Sequence, residues 1–137
     1  MRRLHLTFGL LGVAVFVLTG QVMRHHTPPM HELTPGVRMM YVSRHIYLLG
    51  SALVNLTLGL YLWALPPGWR RTFQQIGSVL LLVSPILLTV AFFQEPAYGL
   101  AGRSWRSSFA IYGLLAGVSS HALSFLGGAD GQRVRHE

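Results

Sequence analysis

Four apolar runs, each about as long as a bilayer core is thick, constrain this chain more than any other feature. They cover residues 4–22, 45–65, 76–93 and 109–126. An α-helix rises about 1.5 Å per residue, so some 20 apolar residues cross the roughly 30 Å hydrocarbon layer. In lipid only a helix or a closed barrel satisfies its own backbone, and continuous runs without strict alternation favour the helix. The pattern predicts an all-α integral membrane protein, a bundle of four transmembrane helices over residues 1–126. Connections are short apart from one longer outer loop, Gln21 to His45, and residues 127–137 form a polar tail read as disordered.

Charge supports that class. Only 11% of residues are charged, less than half the roughly 25% of an average soluble domain. Net charge is +7 and every basic residue is an arginine, placed at the ends of the apolar runs. Arginines so placed mark membrane boundaries and meet anionic headgroups; no stripe tracks a phosphate backbone. The expected partners are the lipid bilayer and either another membrane-protein subunit or a second copy, with no nucleic acid. The absence of cysteine excludes disulfides, thiolate nucleophiles and Cys-type metal sites.

Met1-Arg2-Arg3 followed by an apolar stretch has the outline of a signal peptide. The stretch exceeds the usual core of about 7–15 residues and lacks an Ala-x-Ala-like site, so it reads as the first span. An even number of spans puts both termini on one side. Arg2, Arg3, Arg70, Arg71, Arg133 and Arg135 then face Arg24, Arg38, Arg44, Arg103 and Arg106 across the membrane. Arg2-Arg3 beside the terminus and Arg70-Arg71 in the shortest loop favour cytoplasmic termini in a bacterial-type inner membrane.

Within the runs, polar and small residues recur at helical spacing. Ser51, Asn55 and Gly59 lie four apart, and Ala110, Gly113, Gly117, His121 and Ser124 share one arc of the last run. Such faces let helices approach closely, within the chain or at a subunit seam. Pro85 interrupts the third run and frees a backbone carbonyl that a neighbour has to satisfy. Glu95, the acid closest to a span, is expected to pair with Arg44, with Arg38, Arg103 and Arg106 as alternatives.

Two constellations point to chemistry. Met23, His25, His26, Met30 and His31 combine soft and imidazole ligands suited to copper, although their spacing matches no fixed motif. His5 and His121 fall at similar depth on the first and last spans, as the axial ligands of a b-type haem would, with Gly9, Gly12, Gly113 and Gly117 leaving room for the macrocycle. The bland readings are interfacial packing for the first group and cross-helix hydrogen bonding for the second. Hydrolase and phosphate-loop motifs are missing.

The layout resembles small four-span bacterial inner-membrane proteins. It departs from the four-span enzymes of eicosanoid and glutathione metabolism, from fluoride channels, from small multidrug transporters and from mercury carriers, whose marker residues it lacks. The leading expectation is a non-enzymatic accessory or assembly protein without a cofactor, acting through its small-residue helix faces. A redox or metal-handling protein is the alternative, and a transporter using Pro85 and Asn55 comes third.

Overall fold

In a computed structural model of the chain, residues 1–98 and 105–126 are described. They form four α-helices and one short 3-10 turn: α1 Arg2–Arg24, α2 Pro35–Tyr61, α3 Trp69–Gln94, the turn Pro96–Tyr98, and α4 Trp105–Leu126. α1 packs along α2 and α4 along α3, and a smaller α2–α3 contact joins the two pairs. Three helical segments, Arg2–Arg24, Trp69–Tyr98 and Trp105–Leu126, are long and apolar enough to cross a membrane. α2 is not among them. It carries Arg44, His45 and Asn55 along its length and ends at Tyr61, so the last four residues of its apolar run are not helical.

The helix boundaries differ from those expected, for identifiable reasons. α2 starts ten residues before His45, because Pro35 occupies the first helical turn, where its missing N–H costs nothing, and no further proline follows before Pro66. The connection expected to be long therefore shrinks to residues 25–34. α3 begins at Trp69 instead of Ile76, since Arg70, Arg71, Gln74 and Gln75 form the polar first turns of the helix itself. Gly68, with φ of 146°, precedes it in a conformation that L side chains rarely adopt. Gln74 accepts from the Leu65 N–H at 3.3 Å and donates to the Trp63 carbonyl at 2.7 Å, which satisfies the extended segment after α2. The proposed tail, residues 127–137, lies outside the described residues, as does Arg103.

Close backbone approach sets both hairpins. A Cβ added to Gly59 would lie 2.5 Å from the Leu6 backbone nitrogen, and one on Gly9 would lie 2.7 Å from that of Leu56. In the other hairpin a Cβ on Gly77 would meet the Gly117 carbonyl at 2.8 Å. The glycines thus act as close-packing points between neighbouring helices. At the end where α1 finishes, Leu48, Leu88, Phe92 and Ala110 form an apolar cluster, with Val15, Met23, Tyr41 and Leu87 against it.

Candidate functional site: two buried polar clusters

The helices are polar inside at two levels. The first centres on Pro85. Proline has no N–H, so the carbonyl four residues earlier, that of Leu81, loses its helical partner. Asn55 of α2 supplies one: its Nδ2 donates to the Leu81 carbonyl and to the Ser51 carbonyl, both at 2.9 Å. Two donations from one amide group fix which end is nitrogen. Its oxygen then faces His5 of α1, whose Nδ1 lies 2.7 Å away and must carry the proton it donates. A neutral His5 therefore holds a lone pair at Nε2. That atom is buried and has no hydrogen-bond partner among the described residues.

His121 of α4 completes this cluster. Its ring centroid lies 6.2 Å from that of His5, with planes at 76°. Its Nε2 is 3.2 Å from Ser78 Oγ of α3, while its Nδ1 is buried and has no partner among the described residues, as is the case for Ser51 Oγ one helical turn from Asn55. All four helices thus contribute to one hydrogen-bonded and aromatic contact set. His5, Ser51, Asn55 and Ser78 are 0% exposed and His121 is 5%. Beneath it, Arg70 Nε donates to the Ser124 carbonyl at 2.7 Å, closing the end of α4 onto α3.

The second cluster lies at the opposite end. Arg44 donates from Nη2 and Nε to Glu95 Oε2 at 2.6 and 2.9 Å. Glu95 Oε1 accepts from the Ser107 N–H at 3.0 Å, and Arg44 Nη2 also reaches Ser107 Oγ at 3.3 Å. Arg44 Nη1 donates to the Met40 carbonyl and to Ser43 Oγ, both at 3.2 Å. The pair links α2 to the end of α3, and Ser107 brings in α4. Of the alternative partners for Glu95, Arg38 is exposed and Arg106 lies over the Trp105 ring at 4.7 Å.

In the methionine–histidine loop, His26 makes local contacts. His26 Nδ1 donates to the Pro28 carbonyl at 2.7 Å, which leaves Nε2 to accept from Tyr41 OH at 3.2 Å. Both nitrogens are thereby engaged. Met23 packs on the apolar cluster, His25 caps α1 through its backbone, and His31 is exposed 3.8 Å from Glu32. Among the described residues no three of His, Asp and Glu converge as metal ligands. His45 stacks on Phe16 at 4.1 Å and contacts Thr19 Oγ1 at 3.0 Å.

The small-residue faces are turned inward. Gly59 meets α1, Asn55 bridges α1 and α3, Gly113 and Gly117 meet Ser84 and Leu81 of α3, and Ala110 sits in the apolar cluster. Ser78, Ser107, Thr19 and Gln74 were not legible as site residues. Lone hydroxyls and amides among apolar neighbours look like ordinary small or boundary residues. Only the spacing Arg71, Gln74, Gln75, Ser78, which lines one face of α3, could have drawn attention. Comparison with protein-family models, with curated proteins and with solved structures finds no match to the chain.

Proposed function

We propose that this chain is a four-span inner-membrane protein of non-enzymatic, accessory or assembly type, with both termini cytoplasmic. The observation carrying this reading is that buried Asn55 and the buried Arg44–Glu95 pair tie helices together. Asn55 joins α1, α2 and α3, and Arg44, Glu95 and Ser107 join α2, α3 and α4. Groups so engaged hold a fixed scaffold. The small-residue faces assemble the chain itself, which leaves an apolar outer shell for lipid or a partner subunit. α2 counts as the fourth span because it follows α1 over its length: Gly59 meets Leu6 near one end and His45 meets Thr19 near the other. Its 27 residues reach roughly 40 Å, enough for a crossing.

One observation favours a second reading, a metal or redox role. His5 presents a lone pair oriented by Asn55, as metal-bound imidazoles are oriented by the acceptor behind them. Nitrogens about 2 Å from a shared ion put two opposed imidazole centres roughly 6 Å apart, which the His5–His121 separation of 6.2 Å matches. A haem fits less well. Gly9, Gly12 and Gly117 are closed by Leu56, Ala52 and Leu81, so a macrocycle would have to part the hairpins.

Gentle solubilisation of native membranes followed by native electrophoresis, absorption spectroscopy and metal analysis tests both readings on one sample. The accessory reading expects the chain in a species well above its own 15.2 kDa, free of visible bands and of stoichiometric metal. A bare monomer defeats it. A Soret band or bound copper, lost in His5→Ala and His121→Ala, establishes the second.

A further inference from the structure

A cavity of about 370 Å³ opens at the end of the bundle where α1 and α3 begin and α2 finishes. Arg2, Leu62, Arg71, Gln75 and Ser78 are among its walls. We propose that this cavity binds a phosphate group, carried either by a phospholipid or by a soluble ion. Three features separate it from arginines scattered over a membrane boundary.

First, it is a pocket with built-in placement. Arg71, Gln75 and Ser78 lie at i, i+4 and i+7 of α3, so one helix face carries a guanidinium, an amide and a hydroxyl in depth order. Ser78 is fully buried and Arg71 exposed, which orders the face from core to solvent.

Second, its cations are available. Arg2 Nε donates to the Gly59 carbonyl at 3.1 Å, which anchors the side chain from α2 while its terminal N–H groups have no partner among the described residues. Arg71 has no hydrogen bond among the described residues either. The two described acids, Glu32 and Glu95, belong to the opposite end of the bundle, where α1 and α3 finish. Guanidinium forks match phosphate oxygens, and basic pockets between helices at this depth suit phosphorylated headgroups.

Third, the polar floor has hydrogen-bonding capacity to spare. Ser78 Oγ lies 3.2 Å from His121 Nε2. When His121 donates to it, the serine O–H is free to turn to a phosphate oxygen, which couples the cavity to the buried histidine pair.

The test uses the full chain purified in maltoside, a phosphate-free detergent, and follows thermal unfolding. Inorganic phosphate and phosphatidylglycerol are titrated in separate arms against chloride at equal ionic strength. Wild type is expected to gain thermal stability with at least one probe. Arg71→Gln should need roughly tenfold more of it, in line with loss of a charge-assisted hydrogen bond. Arg3→Gln, of equal net charge and outside the cavity, should respond as wild type, and Ser78→Ala should weaken the response without abolishing folding. A response to phosphatidylglycerol alone identifies a lipid headgroup as the ligand; a response to both identifies the phosphate group itself. No response to either probe overturns the proposal. So does a response that Arg71→Gln keeps, or one that Arg3→Gln and Arg71→Gln lose equally.

Discussion

Arg44→Leu is expected to destabilise the protein by about 3–5 kcal/mol, because it strands a buried carboxylate. Glu95 is 3% exposed and Arg44 6%, and the two are held 2.6 Å apart. Removing the guanidinium leaves Glu95 with its Ser107 contacts but no counter-charge, and forces it to ionise unpaired or to take up a proton. The double variant Arg44→Leu/Glu95→Leu should recover much of the loss, since replacing a whole buried pair with apolar groups is often neutral. Reversible unfolding in mixed micelles gives the comparison. Equal losses for the single and double variants would show that the pair is not what the site depends on.

Asn55→Leu should cost about 2 kcal/mol. It leaves two buried groups without partners, the Leu81 carbonyl and the His5 Nδ1–H, each worth about 1–3 kcal/mol in general and less in membrane proteins, where cross-helix bonds average about 0.6 kcal/mol. The specific signature lies in the combination with Pro85→Ala. Alanine restores an N–H at position 85, which can bond the Leu81 carbonyl within α3. The double variant Asn55→Leu/Pro85→Ala should therefore lose less than the two single changes predict together, by about 1 kcal/mol. Strict additivity would mean that Asn55 does not act by filling the carbonyl that Pro85 frees.

This pairing also shows how far the sequence could be read. That Pro85 frees a carbonyl follows from proline chemistry, and that Asn55 lies on a packing face follows from its spacing with Ser51 and Gly59. That one serves the other does not, because 26 positions and a change of helix separate Asn55 from Leu81. Arg44 and Glu95 could be matched because both fall at one membrane boundary, and few acids compete. The start of α2 was hidden by the same arginines. Arg38 and Arg44 look like loop residues until Arg44 is seen buried against Glu95. The loop histidines drew attention by composition, yet His26 spends both nitrogens on local bonds that no composition reveals.

Whether α2 crosses the membrane decides the architecture, and thiol labelling tests it directly because the chain contains no cysteine. Single cysteines at Pro29, between α1 and α2, and at Pro67, between α2 and α3, occupy exposed positions. With a membrane-impermeant maleimide, Pro29→Cys should label in intact spheroplasts and Pro67→Cys only in inverted vesicles. Labelling of both positions from the same face would contradict a four-span bundle.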